Sequence, residues 1–451
     1  MTRLAMFRSL QVPNYRLFFW GGTVSNIGVW MQRTAQAWAV VVLSHGDGLA
    51  LGLATFLQFF PTVLLGLGTG ALVDRIDKIR LLVVTQALVG LGSIAMGVLD
   101  GLGILTLVQV WVLAGAMGVV NAFDVPARQS VVSELVGPDQ VVNAIGLNSA
   151  SFNVARLVGP ALAGLLIGIA GTPLIFFVHA ASSVGILLAL LRLDRSELYG
   201  EPRVVARGGQ LVAGLRQVAG DRTLLTLIIL SGVIGAVGAN SLQVVLPLAA
   251  TEVFGVGALG FGLVTSCLAV GGLTGALLAA STSGMPRHRW VVGAAAALGV
   301  CLLIASAMPV LVGFGAALVL CGGMFMTFAV LANTSVQLTA EPAIRGRVMA
   351  VYLTFFLGGG ALGAPLLGLL SERFGPMRAI ASAGALGLVA AAAGAVVLTA
   401  VRRRDKPVPT ALPPVPAAVI PSPSRPVRNS PARIASIVYQ RDTEAVDPRN
   451  I

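Results

Sequence analysis

Charge is scarce in this chain. Only 11% of its 451 residues are charged, where a water-soluble domain carries about 25%. Hydrophobic residues make up 56%, and the mean hydropathy is +0.89, so a water-soluble reading fails at once. Lysine is rarer still: Lys78 and Lys406 are the only two, and each follows an aspartate. The glycine–lysine pair of a phosphate-cradling Walker loop is therefore missing, which excludes an ATP-driven pump. The three histidines, His45, His179 and His288, begin no HExxH metal motif, and no GxSxG nucleophile elbow occurs. Cys267, Cys301 and Cys321 all fall inside apolar runs, without metal or disulfide spacing, and read as small packing residues. Neither catalysis, a cofactor nor a metal is expected. Arg3 and Arg8 interrupt the first fifteen residues, so no secretory signal is read there and the first helix is expected to be retained.

What the chain does have is long charge-free apolar stretches. Eighteen or more such residues read as a membrane-crossing helix, because about 20 residues at 1.5 Å each cross the hydrocarbon. The spans fall at 16–43, 50–73, 81–99, 104–127, 141–170, 172–192, 223–249, 258–282, 290–307, 310–338, 348–370 and 377–401. The long fifth span is expected to include an interfacial turn. A barrel would instead show alternating strands of about ten residues. The expected fold is an all-α integral membrane protein with twelve transmembrane helices.

The formal net charge of +12 raises nucleic acid as a partner, and its distribution argues against one. With both termini cytoplasmic, 26 of the 30 Lys and Arg fall on the inner face. Outer loops receive only Arg373 and Arg378, while Arg33 and Arg156 lie within spans. That bias is the positive-inside rule of an inner-membrane protein facing an anionic leaflet. The expected partners are the lipid bilayer and a small-molecule substrate, with the chain acting as a monomer.

Residues 193–221 form the longest loop between spans, dividing them six and six: 1–192 before it, 222–401 after it. Residues 402–451 form a Pro/Arg-rich cytoplasmic tail, which reads as disordered because it has little apolar surface to bury. The halves look related. "TGALV" (69–73) recurs as "TGALL" (274–278), 205 residues on, and Pro138, Gly159 and Gly164 recur as Pro342, Gly363 and Gly368, each 204 on. "RTAQ" (33–36) faces "NSLQ" (240–243) at a shift of 207. The near-constant offset points to two pseudo-symmetric six-helix bundles. Glycines spaced small-xxx-small, as at Gly66/Gly70 and Gly164/Gly168, suit close helix approach in lipid. Gly358–Gly360 offers a flexing point in span eleven.

A charge at mid-bilayer costs ~2.5–3.5 kcal/mol on insertion scales, so each one needs a reason. Arg33 lies about 26 Å along its helix from Arg16 at 1.5 Å per residue, and Arg156 sits near the middle of span five. Arg33 and Gln36 share a helix face, as do Asn240 and Gln243 in the matching helix. Asn121, Asn148, Asn333 and Gln337 extend the polar set, with Gln129 and Asn153 beside them. Such faces point to a water-filled cavity, or the amides simply bond to neighbouring helices. Two arginines against one embedded carboxylate lean toward an anionic or neutral amphiphilic substrate. Asp124, or less readily His179, is available to carry a proton. Asp124 lies four residues before Arg128 and either pairs with it or couples transport.

"GALVDRIDKIR" (70–80) packs five charges into seven residues between two apolar spans. It resembles the Gly-x-Leu-x-Asp-Arg-x-Gly-Arg-Lys signature of the major facilitator superfamily through Gly70, Leu72, Asp74, Arg75 and the basic Lys78. Asp77 departs from the usual glycine, which resembles the enterobactin-exporter-like branch, the transmembrane secretion effectors. "FDVPARQSVVSELV" (123–136), "NAIGLNSASFNVARLVGPALAG" (143–164) and "RGRVMAVY" (345–352) fit that branch too. The resemblance implies helices one, four, seven and ten lining a central cavity. It also implies a conformational gate of Gly70, Asp74, Arg75, Lys78 and Arg128 whose contacts break as the cavity turns inward. No acid matches Asp74 in the second half. The implied activity is export of a siderophore-like or drug-like amphiphile by alternating access, driven by protons as an antiporter. An importer of the same fold, or a transport-inactive membrane scaffold or sensor, remains as the alternative.

Overall fold

Hydrocarbon offers a backbone no water to bond to, so a chain this apolar must close its hydrogen bonds within helices. The computed structural model describes residues 7–73, 75–199, 210–281, 288–342 and 344–404; the side chains at 67, 68, 70, 71, 210–214, 239, 240 and 402–404 also lie outside the description. Among the described residues every regular element is helical. The long helices are α1 (Pro13–Ser44), α2 (Gly48–Val73), α3 (Lys78–Gly101), α4 (Leu107–Glu134) and α5 (Val141–Leu191). A short α6 (Gln210–Gly220) precedes α7 (Arg222–Val237) and α8 (Ala239–Leu248). Then follow α9 (Ala258–Ser281), α10 (His288–Ser306), α11 (Leu311–Thr339), α12 (Arg345–Phe374) and α13 (Pro376–Arg404).

Local chemistry sets where these helices begin. Asp77 caps α3 by accepting from the Arg80 N–H, Asp221 caps α7 through the Thr223 and Leu224 N–H groups, and Thr106 with Gln109 forms a reciprocal capping box on α4. Ten segments among the described residues are long and apolar enough to cross a membrane. The longest, Pro138–Leu191, contains one non-helical residue, Gly171, with φ 78° and ψ 178°. A positive φ with extended ψ is open almost only to glycine. That break falls between the fifth and sixth spans read from the sequence. Helix α1 has 32 residues but carries Arg16, Gln32, Arg33 and Gln36, and it is not among the ten. Gly238 likewise leaves helical geometry between α7 and α8, and a π turn at Ala249–Val253 continues that segment.

Residues up to Arg404 make one packed unit. Helix α1 runs along α5, α2 along α4, and α3 along α5; in the second half α9 runs along α11 and α10 along α13. The halves meet through α2 with α12 and α5 with α9. Backbones touch there. A Cβ on Gly368 would lie 2.1 Å from the Gly48 carbonyl oxygen, one on Gly164 2.5 Å from that of Ala258, and one on Gly262 2.3 Å from that of Pro160. Ser266 Oγ adds a hydrogen bond to the Leu157 carbonyl at 2.8 Å. In lipid, apolar side chains gain little by leaving their surroundings, so this close contact and its dispersion hold helices together.

Small-xxx-small spacing overstates the contact. Gly164 is seated against α9, whereas a Cβ on Gly168 or Gly66 would meet nothing within 4 Å. Helix α12 runs through Gly358–Gly360 without a break, and Gly359 is pressed against the Gly232 carbonyl of α7, so in this state the triplet packs against a neighbouring backbone. Leucine at 164 must push α5 from α9 and is expected to destabilise by about 1–3 kcal/mol. Leucine at 168 should leave the thermal midpoint in detergent unchanged, and equal losses in the two variants would contradict this contact.

Candidate functional site

Arg33 and Arg156 converge on one ring. The Arg33 guanidinium carbon lies 4.9 Å from the centroid of Trp30 and 5.3 Å from that of Phe59, and the Arg156 guanidinium carbon lies 5.6 Å from the Trp30 centroid. Trp30 is one helical turn before Arg33, so α1 presents both on one face. Its indole is 6% exposed, its Cβ rests on Gly159 of α5, and Phe152 meets it edge-on at 5.7 Å. Arg156 reaches past α5 towards Gly272 of α9, in the second half, where a Cβ would stand 3.9 Å from its NH1. Neither arginine has a carboxylate partner among the described residues, and the buried Trp30 Nε1 has no hydrogen-bond acceptor. Two cations and an indole N–H, all donors, therefore share a part of the protein that supplies no acceptor. Charge–π contact offsets part of each arginine's desolvation, ~2 kcal/mol or more when water is excluded.

The other polar residues scatter. Gln36 is buried and accepts from Gln32 at 3.3 Å, while Gln32 also touches the sulfurs of Met96 and Met117. The Asn121 amide bonds back to the Met117 carbonyl of its own helix at 2.9 Å, and Gln337 donates to Asn333 at 2.6 Å. Asn148 and Gln243 are half-buried, and the Asn240 side chain lies outside the described residues. His179 is buried with Nδ1 2.7 Å from Ser93 Oγ and Nε2 unpartnered. Among the described residues no three His, Cys, Asp or Glu side chains gather into a metal site.

Asp124 and Arg128 do pair. Asp124 is 5% exposed and accepts from Thr85 Oγ1 and Gln86 Nε2 at 2.7 Å each, and from Arg128 Nε and NH2 at 3.2 Å each. Pro126 between them has no N–H, leaving the Ala122 carbonyl without its helical donor. The cluster joins α3 to α4, with Ser25 of α1 3.5 Å from Gln86.

In the charged hinge, Asp74 lies outside the described residues, Gly70 belongs to α2 with its surroundings undescribed, and Arg75 is exposed. Lys78 pairs with Glu134 at the end of α4, so its partner sits in the same half of the chain. Asp77 accepts from Arg195 NH1 at 2.9 Å, tying the hinge to the segment after α5, and forms an ion pair with Arg80 Nε at 3.3 Å. Desolvation opposes its charge, but the Arg80 N–H and the Arg195 and Arg80 guanidiniums outweigh it and hold the carboxyl below the usual range. The departure from glycine at 77 thus supplies a helix cap and an ion pair. Sequence reading missed Trp30, Phe59 and Glu134. Only Trp30 carried a signal, its one-turn spacing from Arg33.

A helical, multi-pass membrane protein with paired glycine seams and embedded arginines is a transporter in form, and comparison with known proteins agrees. The transmembrane secretion effector family matches residues 4–421. The chain is similar to the multidrug efflux pump Tap of Mycolicibacterium fortuitum, 30% identical over 76% of this chain and 86% of that protein. It also resembles the enterobactin exporter EntS of Salmonella typhimurium, 24% identical over 84% and 90%. Its match to the staphyloferrin A transporter of Staphylococcus aureus, 24% identical, spans only 39% of this chain and 44% of that relative. In fold it is similar to the nucleoside transporter NupG (TM-score 0.68, 14% identity, 85% and 99% covered). A bacterial homologue of the lysosomal transporter Spinster, in an inward-facing, unoccupied state, gives a TM-score of 0.61 at 16% identity, with 86% and 95% covered. The chain belongs to the transmembrane secretion effector family of the major facilitator superfamily.

Lys78 and Glu134 have side chains only 14% and 18% exposed, so their coupling is measurable. Lys78→Ala and Glu134→Ala are each expected to lower stability, and the double variant by less than their sum, with a coupling of about 1 kcal/mol or more. Unfolding in detergent micelles checks this; strict additivity would remove the pair as a tie.

Proposed function

We propose that this protein exports a small, negatively charged organic amphiphile, cycling between inward-open and outward-open states in exchange for protons. The observation that carries the reading is the convergence of Arg33, Arg156 and the unpaired Trp30 N–H on a region with no carboxylate of its own. An anion fitted there would accept from both guanidiniums, and the buried Trp30 N–H behind them would join only if the ring moved. Export is supported by the likeness to Tap, an efflux pump, and to EntS, an exporter.

In this reading the chain crosses the inner membrane twelve times, in bundles formed by residues 1–192 and 222–401. Gly171 would divide α5 into two crossings, and α1 would add the first. The loops at 74–77, 192–222 and 282–287 hold most of the interhelical basic residues and would face the cytoplasm, as would both termini. The seams α2–α12 and α5–α9 touch from Gly48–Gly368 to Val63–Gly358 and from Gly164–Ala258 to Arg156–Gly272. Among the described residues these glycine contacts lie toward the end remote from the charged loops, and a state open to the cytoplasm would be consistent with them. The remaining amides, Asn121, Asn148, Asn240, Gln243, Asn333 and Gln337, would line the route as adaptable donors and acceptors. Asp124 is the embedded acid at which a proton would enter, displacing Arg128, while Arg75 and Asp74 would close the inner gate. The protein would act as a monomer.

Everted membrane vesicles holding the wild-type chain should take up anionic aromatic dyes or tricatecholate chelators when their lumen is acidified. Arg33→Ala and Arg156→Ala should each lower that uptake at least about tenfold, given ~1–2 kcal/mol per desolvated charge–π contact, with membrane abundance unchanged. Full uptake by both variants sinks the site, and uptake by intact cells alone reverses the direction. Asp124→Asn should abolish dependence on the acid gradient; retained dependence would make this residue purely structural.

A further inference from the structure

A second pair of arginines stands far from this site, where the start of α1 runs beside the end of α5. Arg16 and Arg192 flank the mouth of a groove of about 350 Å³, walled by Leu17, Trp20 and Leu188 and floored at Gly185. Gly185 lies seven residues before Arg192, so the groove runs about 10 Å along the helix from charge into apolar surface at 1.5 Å per residue. A Cβ at Gly185 would meet nothing within 4 Å, which leaves the floor open. Trp20 is 57% exposed beside it, as an indole at a membrane interface is.

The two arginines lack partners. Among the described residues neither side chain has a carboxylate or other acceptor within bonding distance. The acid nearest Arg192 in sequence, Asp194, is already engaged by the Ser196 N–H at 2.9 Å and Oγ at 2.6 Å. Its backbone is held by Asn14 of α1 at 2.9 Å in both directions, which fixes the end of α5 against α1 and so fixes the spacing of the mouth.

A cationic mouth over an apolar channel matches an amphiphile with an anionic head. We infer that this groove binds an anionic phospholipid, its phosphodiester oxygens held by Arg16 and Arg192 and one acyl chain laid over Gly185 between Leu17, Trp20 and Leu188. A free phosphate would use the mouth and leave the channel unfilled. A second copy docking through this same patch would bring four arginines into one interface with no carboxylate from the patch, since a two-fold contact uses the same surface on both copies. The groove is independent of the Trp30 site, as about 26 Å of α1 separates Arg16 from Arg33.

The test is native mass spectrometry of the full-length, delipidated protein released from micelles, titrated with phosphatidylglycerol, cardiolipin or phosphatidylcholine. The wild type should retain the two anionic lipids in preference to phosphatidylcholine, and inorganic phosphate in large excess should not displace them. Arg16→Gln with Arg192→Gln should weaken the anionic lipids roughly twenty- to thirtyfold, as expected for two interfacial basic residues. Gly185→Leu should weaken all three by filling the channel. Variants are compared only where the thermal midpoint in lipid-free detergent equals the wild type, and the double glutamine variant alone suffices if Gly185→Leu misfolds. Unchanged anionic-lipid affinity in the double variant overturns the site, as does displacement by inorganic phosphate. A wild-type dimer that the double variant dissolves, with no change in lipid retention, overturns it as well.

Discussion

Everything in this molecule follows from the absence of water around most of its surface. Backbone groups solve that problem by helix formation, and polar side chains must find each other. Most do so locally. Gln32 turns to Gln36, Asn121 to its own helix, Gln337 to Asn333, and Asp124 collects donors from two helices. Helix ends are closed by Asp77, Thr106 and Asp221. What stands apart is the group around Trp30, where arginine meets aromatic faces and no carboxylate. Asp124 is matched by Arg128, whereas among the described residues Arg33 and Arg156 have no carboxylate.

The same solvent decides how helices meet. With little hydrophobic drive between them, contact must come from closeness, and glycine permits the closest contact. The two halves touch through carbonyl-to-glycine seams at Gly48–Gly368, Gly164–Ala258 and Gly262–Pro160. Such seams need few interlocking side chains to disengage. The charged hinge is built differently. Lys78–Glu134 and Asp77–Arg195 bind elements of one half to each other, so the described hinge contacts tie the first half together.

Much of the fold was legible in the sequence because a charge-free run of twenty residues has few other meanings. The break at Gly171 fell where two spans had been separated, and the arginines were visible because charge in such runs is conspicuous. Their aromatic partners were not, since a tryptophan adds nothing conspicuous to an apolar run. Gln32, next to Arg33 in sequence, was passed over, yet it and not a cavity occupies Gln36. Glu134 sits 56 residues from Lys78, a pairing that only three-dimensional packing reveals. Glycine spacing was the weakest guide: it treats Gly164 and Gly168 alike, and only one of them faces a neighbouring backbone. Among the described residues ten segments meet the length and apolarity of a span where twelve were expected, because α1 carries polar residues along its length and the expected fifth and sixth spans form one segment interrupted only at Gly171.

The proposed site also bears on how movement is coupled to cargo. Empty, it holds two positive charges in a medium that penalises each; loaded with an anion, it approaches neutrality. If the halves close around it, as proposed, the remaining water would leave, and that step would penalise the empty form far more than the loaded one. A ligand shifts a conformational equilibrium only by its difference in affinity for the two states, and charge neutralisation supplies such a difference without any lid. A neutral amphiphile could still lie against the arginines, but it would leave them unpaired and oppose closure. Selectivity for anions would then reside in the transition between states and not in the first encounter with the cavity.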